Sequence, residues 1–331
     1  MVELGHFYFG LTNQQILIVK TTGRKYNMAM TADTQIVQAH YRGIRRVLAW
    51  ILALNWLVAA AKIIYGVLTG FTSMTADGFH SLSDGASNIL SLIGIHFASQ
   101  PVDRDHPYGH RKYETLFALG IAGMLFLLAF NLFREGITRI NNPGIPRVDA
   151  ASFAVMIATI IVNIFVMRYE YGKGKALKSD ILVSDSLHTK ADILTSLSVI
   201  GALAGAKLGF PVIDPLITVF ISLFIAHAGW GIIRESSLVL CDSAAKIDQD
   251  RLVEITMNIP GVKGCQKIRT RGREDDIHVD MVVTVAGNMH MDRAHAISEE
   301  IEQAIKKNIP GVTDVVVHLE AHGHPVNKEP R

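Results

Sequence analysis

Six stretches of membrane-crossing length, near 47–69, 74–97, 114–137, 149–168, 181–206 and 213–233, constrain this chain more than any other feature. A helix of about 20 apolar residues crosses the hydrocarbon core of a bilayer, where backbone polar groups must be satisfied internally. The expected fold class is therefore an α-helical membrane protein built on a six-helix bundle. Composition agrees: 49% of the 331 residues are hydrophobic and only 19% are charged, against about 25% charged in a soluble domain. The first run of membrane length begins near Val47 and is too long for the apolar core of a cleavable signal peptide. Cys241 and Cys265 are too few for a disulfide framework and are read as free thiols facing a reducing compartment.

The second and fifth stretches are less apolar because each carries the same polar pattern. Asp77-Gly-Phe-His80-Ser-Leu-Ser-Asp84 and Asp185-Ser-Leu-His188-Thr-Lys-Ala-Asp192 both read D-x-x-H-x-x-x-D. On a helix the His and the Asp four residues later share a face, with the leading Asp one turn before them. Bringing the two helices together would place His80, Asp84, His188 and Asp192 around one point. Two imidazoles and two carboxylates suit a four-coordinate divalent cation such as Zn²⁺. Ionisable groups inside a bilayer are costly and usually mark an ion pathway, so the chain reads as a metal transporter. Asp77 and Asp185 admit two roles: lining the entrance or supporting the imidazole ligands, or acting as helix N-terminal carboxylates favoured by the dipole. Lys190 is expected to face a water-filled cavity rather than metal.

Charge placement gives an orientation. Arg42, Arg45 and Arg46 precede the first span, while Arg104, Arg111 and Lys112 follow the second. Arg168, Lys173, Lys175 and Lys178 follow the fourth, and Arg234 follows the sixth. The opposite side offers Arg134, Arg139, Arg147 and Lys207. The richer side should be cytoplasmic, which puts both termini there. Residues 1–40 are expected to be a flexible N-terminal extension, 41–240 the transmembrane domain, 241–322 a soluble domain and 323–331 a tail. Tyr169–Asp180, basic and containing glycine, reads as a linker.

Beyond Asp242 the pattern becomes that of a small α+β domain. Helical spacing over 246–258 ends at Pro260-Gly261; Gly264–Arg271 and Asp276–Val285 alternate as strands. An amphipathic helix over 291–307 buries Ala294, Ile297, Ile301 and Ile305, and a last strand over Asp314–Leu319 completes the order αββαβ. The basic strip Arg269-Thr-Arg271 is too short to imply a nucleic-acid partner.

From about residue 40 to 320 the chain resembles the cation diffusion facilitator family. The resemblance rests on A-D-G-F-H-S-L-S-D (76–84), P-V-D-R-D-H-P-Y-G-H-R-K-Y-E (101–114), S-D-S-L-H-T-K-A-D (184–192) and the P-G-V…R-T-R segment of the terminal domain. It implies a proton-coupled, homodimeric exporter of divalent metal ions whose soluble αββαβ domain is metallochaperone-like and cytoplasmic. Carried over by motif, the transport site falls on His80, Asp84, His188 and Asp192, and its H-x-x-x-D pairs look like the zinc-preferring version. Family members with Asp in place of the first His tend to handle manganese, or cadmium along with zinc. A second ion site falls on Asp103, His106 and His110, where Pro107 and Gly109 permit a tight turn. Lys112 matches a basic hinge residue of the family, with Asp242 as its expected partner at the dimer pivot. In the terminal domain only His318 and Glu320 match the family's ligands, because Gln266 and Val282 stand at earlier ligand positions.

The expected function is Zn²⁺ efflux by proton antiport, with Zn²⁺ as substrate and also a structural ion. Two alternatives stand beside it: a Fe²⁺, Co²⁺ or Cd²⁺ exporter of the same family, or a non-transporting metal-sensing scaffold. An intramembrane metallohydrolase would need a motif such as H-E-x-x-H, which does not occur, so no enzyme is expected. The fourth–fifth loop lacks a long His-rich insert, which favours a bacterial inner membrane over an organelle.

Overall fold

The computed structural model of the protein describes the backbone of residues 13–69, 72–141, 150–207 and 213–322. Side chains are described over 37–68, 85–140, 153–201 and 215–322, and at 75, 78, 79, 81 and 82. The described backbone contains six long helices: α1 (Asn13–Thr69), α2 (Thr72–Ala98), α3 (Lys112–Asn141), α4 (Ala150–Ala176), α5 (Asp180–Lys207) and α6 (Ile213–Leu240). Within them Val37–Leu68, Lys112–Ile140, Phe153–Ala176 and Pro215–Leu240 are long and apolar enough to cross a membrane. At 27 and 28 residues, α2 and α5 are long enough too, about 40 Å at 1.5 Å per residue. Their D-x-x-H-x-x-x-D patterns keep their hydropathy lower.

The bundle is apolar outside and partly polar within. On α6, Phe220 is 71% exposed while Ser222, two residues on, is 1% exposed. Trp50, Leu68 and Phe130 likewise point outward, whereas Ser87, Asn88, Ser91, Ser184, Ser186 and Thr218 are buried. In water this distribution would be costly, but in lipid it is the expected one, because hydrocarbon solvates the outer faces and helices meet through small and hydrogen-bonding residues. α3 packs most extensively on α6, α1 on α2 and α4 on α5, while α5 also touches α2, α3 and α6. Ile44, Leu48, Ile95, Leu125, Ile181, Leu182 and Ile225 form the apolar centre.

Two boundaries differ from the sequence expectation. The stretch expected as a flexible extension is helical from Asn13, continuous with the first span, and residues 1–12 lie outside the described residues. No proline interrupts the sequence from Asn13 to Thr69, so nothing local terminates that helix. The expected linker Tyr169–Asp180 is mostly helix, since α4 runs to Ala176. Gly174 is there for packing: a Cβ on it would lie 2.9 Å from the backbone N of Val183. The α4–α5 turn is only residues 177–179, closed by Lys178 at φ 48° and by the Ser179 N–H donating to the Gly174 carbonyl at 2.9 Å.

The second unit follows the expected order, with α7 (Gln249–Met257), β1 (Val262–Arg273), β2 (Asp276–Val285), α8 (Met291–Asn308) and β3 (Val312–Ala321). Asp248 caps α7 by accepting from the N–H groups of Asp250 and Arg251. The sheet order is β1-β2-β3, antiparallel then parallel. Ile297, Ile301 and Ile305 of α8 pack with Val279, Met281 and Val283 of β2 in one core. Both outer strands run two residues further at each end than the expected 264–271 and 314–319.

The β1–β2 turn reaches into the helical unit. Arg273, 3% exposed as a side chain, lies 3.1 Å from Glu114 on α3, 3.2 Å from Asp180 at the start of α5 and 3.1 Å from Asp275. Its guanidinium also donates to the Lys178 carbonyl at 3.0 Å. Around it the Arg111 side chain donates to the Asp275 carbonyl and Lys178 Nζ to the Glu274 carbonyl. The soluble unit is thereby seated against the α2–α3 loop and the α4–α5 turn.

Candidate metal sites

The first candidate lies within the helical bundle, on α2 and α5. His188 is buried, with Nδ1 lacking a hydrogen-bond partner, and Asp192 is half-buried four residues on. A buried imidazole nitrogen without a partner is unusual in a native interior and leaves a lone pair or a proton free for exchange with a cation. The side chains of Asp77, His80 and Asp84 lie outside the described residues, although the α2 backbone that carries them is helical. A cavity of about 30 Å³ joins the helices, lined by Asn55 and Val58 of α1, Ser81 and Ser87 of α2, Thr159 and Asn163 of α4, and His188, Thr189 and Asp192 of α5. Ser81 directly follows His80, so both patterned stretches border one small polar cavity, of about one water's volume.

Asp185 is not a first-turn carboxylate, since α5 already begins at Asp180. Fully buried, it accepts a 2.5 Å hydrogen bond from Asn88 Nδ2, and Asn88 Oδ1 accepts from Asn55 Nδ2 at 3.0 Å. This relay ties α1, α2 and α5 together beside the cavity. Lys190 turns away from it: its ammonium lies over the Phe224 ring of α6, 5.1 Å from the centroid. The lysine bonded to a cavity-lining residue is Lys62, 5% exposed, which donates to Ser81 Oγ at 2.9 Å. Glu170 is also fully buried and accepts from the Thr189 hydroxyl at 3.0 Å. Sequence reading passed over Glu170 because it fell in a presumed linker. Lys62 had a signal, as the one charged residue between Val47 and Thr69.

The second candidate is local. Asp103, His106 and His110 each offer a ligand atom, all within 4.8 Å of one another. Asp103 Oδ1 lies 3.2 Å from His106 Nδ1, and its Oδ2 lies 3.4 Å from His110 Nε2. The other nitrogens have partners of their own, with His110 Nδ1 3.0 Å from the Pro101 carbonyl and His106 Nε2 3.4 Å from the Tyr113 hydroxyl. Such outer hydrogen bonds fix the tautomer and aim of a metal-binding imidazole. The His106 backbone N–H, bonded to Asp103 Oδ1 at 2.7 Å, is the foremost cause holding the Asp103 carboxyl below its ordinary range. Gly109, at φ 85°, makes the turn that brings His110 back to Asp103. Three ligands of this kind would leave a fourth position for water.

The soluble unit supplies less. His318 and Glu320 are 4.0 Å apart on β3, His318 is mostly exposed, and Glu320 accepts from Gln266 Nε2 at 3.3 Å. Among the described residues they form no group of three ligands. A recess of about 540 Å³, lined by Asp248, Asp250, Arg251, Glu254, Ile255, Asn258 and Asn308, contains no histidine or cysteine. Its size does not mark a metal site. Lys112 and Asp242 do meet, at 2.7 Å, with both side chains about half exposed. Asp242 adopts φ 53° at the end of α6, and the Ser243 N–H closes that end on the Leu238 carbonyl.

The fold and the ligand clusters define a class: a multi-pass helical membrane protein with a soluble αββαβ unit at one end. Residues 48–241 match the cation efflux transmembrane domain, and residues 244–322 match the cation efflux protein cytoplasmic domain. An uncharacterized transporter of Methanocaldococcus jannaschii is 31% identical over 79% of this chain and 91% of its own length. The cation-efflux pump FieF of Cronobacter sakazakii is 28% identical over 79% of this chain and 87% of its own. The manganese efflux system protein MneS of Bacillus subtilis is 27% identical over 77% and 88%. The chain belongs to the cation diffusion facilitator family, whose transporters export divalent metal cations.

Proposed function

We propose that the protein is a homodimeric Zn²⁺/H⁺ antiporter of a bacterial inner membrane, with both termini in the cytoplasm. In this reading α2 and α5 also span the bilayer, and His80, Asp84, His188 and Asp192 hold the transported ion. The observation that carries the reading is the cavity shared by the two patterned helices, with His188 and Asp192 on one wall and Ser81, the neighbour of His80, on another. Asp77 and Asp185 stand beside the site, Asp185 as the buried tie between α5 and α2. Asp103, His106 and His110 bind a second ion at the cytoplasmic face, outside the transport step. The Lys112–Asp242 pair sits at the dimer hinge, and His318 with Glu320 forms at most a weak accessory site.

Coupling follows from ligand chemistry. A metal ion binds neutral imidazole and ionised carboxylate, so its arrival displaces protons. Imidazole titrates near 6.5 when unperturbed, within the range of cellular pH gradients. Protons entering from outside would refill the emptied site and drive the next cycle. Imidazoles favour Zn²⁺ and Co²⁺ over hard ions, which separates this reading from the manganese named for the Bacillus relative.

Sealed proteoliposomes with an imposed pH gradient and a panel of Zn²⁺, Fe²⁺, Co²⁺, Mn²⁺ and Cd²⁺ test it. Zn²⁺ flux should rise when the trans side is acid and collapse with a protonophore, and Asp192→Ala should abolish flux without preventing insertion or dimerisation. Flux indifferent to the gradient would make the protein a uniporter. A preference for another metal would reassign the substrate.

A further inference from the structure

Lys62 is an ammonium inside the membrane domain that the mechanism above leaves unused. Its position is fixed by a close approach of two helices. A Cβ on Gly78 of α2 would fall 2.6 Å from Ile63 Cγ1 and 2.9 Å from the Ile63 backbone N of α1. That contact sets the register of α1 on α2, and one turn beyond Gly78 the Lys62 ammonium meets Ser81 Oγ at 2.9 Å. Ser81 lines the cavity together with His188 and Asp192. In sequence it lies one residue after His80 and three before Asp84.

Three observations thus coincide: 5% exposure of the lysine, a direct bond to a cavity wall, and metal-type ligands on the facing wall. A charge in a bilayer interior is costly to keep. Between charges a few ångströms apart in such a medium, interaction is strong and little screened by salt.

We propose that the Lys62 ammonium is a fixed counter-charge at the transport cavity. It balances the cavity carboxylates when no metal is bound and repels the divalent cation when one arrives, holding affinity low enough for release. A conducting or transporting site must bind firmly enough to be entered and weakly enough to be left, and Lys62 sets the second condition. The inference rests on the transport-site reading of His188 and Asp192.

The test uses the full-length protein with Asp103, His106 and His110 replaced by alanine, so that the loop site binds no Co²⁺; Co²⁺ binding is followed by its ligand-field absorption and Zn²⁺ flux is measured in proteoliposomes. Lys62→Gln keeps a hydrogen-bonding group and removes the charge; Lys62→Met removes both; Lys62→Arg keeps the charge. The expected result is binding at least tenfold tighter in Lys62→Gln and Lys62→Met, with maximal flux reduced tenfold or more. Lys62→Arg should stay near the parent in both. A purely structural role predicts weaker binding, never tighter. Affinity unchanged or weakened in the neutral variants would overturn the proposal, as would loss of the fold with every neutral residue but not with Arg. Asp192→Ala, run in parallel, separates the two levels. If it leaves Co²⁺ binding intact, the transport-site reading fails; if it removes binding while Lys62→Gln changes nothing, only the Lys62 inference fails.

Discussion

Asp103, His106 and His110 lie within eight residues of chain folded onto one point, and each imidazole has its second nitrogen occupied by Pro101 or Tyr113. Replacing all three by alanine should remove one equivalent of bound metal while leaving measurable flux, as read by equilibrium dialysis and by the liposome assay. Unchanged stoichiometry would exclude an ion there. A neighbouring histidine gives a pH signature instead. His278 lies between Asp276 and Asp314, with Tyr108 of the metal loop edge-on to its ring. The Asp276 carboxylate, 3.8 Å from its Nε2, is the main cause raising its pKa above the ordinary 6.5. A pKa raised on folding adds stability that is complete below the unfolded value and fades as pH rises through the folded one. Thermal unfolding should therefore show stability falling above about pH 6.5, and His278→Gln should flatten that segment of the profile. The loop ligands were implied by the resemblance of the 101–114 motif to the family, and a few consecutive residues suffice to bring them together. Lys62 and Glu170 were not, since only the packing of distant helices gives them partners.

Elements meet here through glycines as much as through large side chains. Gly78 lets α1 and α2 touch at backbone distance, with Ile63 N at 2.9 Å and Ala59 O at 3.1 Å from a Cβ placed there. Because backbone atoms cannot swing aside, Gly78→Ala should cost about 1–3 kcal/mol, as overpacking does, and, by moving the Lys62 charge away from the cavity wall, tighten Co²⁺ binding. Gly123→Ala on α3 meets nothing within 4 Å and should be neutral or slightly stabilising through helix propensity. Detergent melting curves of the two variants, with Co²⁺ titrations, make the comparison. Of the six long helices, α1, α3, α4 and α6 stand out by hydropathy, and α2 and α5 were readable from their length with the repeated polar pattern. Their ends were less so: Gly172 and Gly174 resemble a linker in sequence, yet lie within α4, where Gly174 permits contact with α5.

At the scale of the whole molecule, the soluble unit is joined to the helices by a buried charge cluster more than by the surface pair expected at the hinge. Lys112 and Asp242 are about half exposed, so removing either should cost under about 1 kcal/mol. Arg273 is enclosed with Glu114, Asp180 and Asp275, and Glu114 is fully buried. Arg273→Met would strand Glu114 without its cation, a loss of about 3–5 kcal/mol for a broken buried pair. Hydrogen exchange should then rise in the α2–α3 loop and the β1–β2 turn, while amides of β2 and α8, whose core is separate, stay protected. Equal exchange in parent and variant would show that the cluster does not hold the units together. Sequence alone carried the helical membrane architecture and the αββαβ order, because hydropathy and strand alternation act within one segment, while the loop cluster was implied by the resemblance of its motif to the family's. Only the tertiary structure decided that Arg273 packs against the helical unit, that Asp185 ties α5 to α2 and that Lys62, not Lys190, bonds a residue of the cavity wall. Each of those depends on which face of one helix or strand lies against another, and local spacing does not encode that.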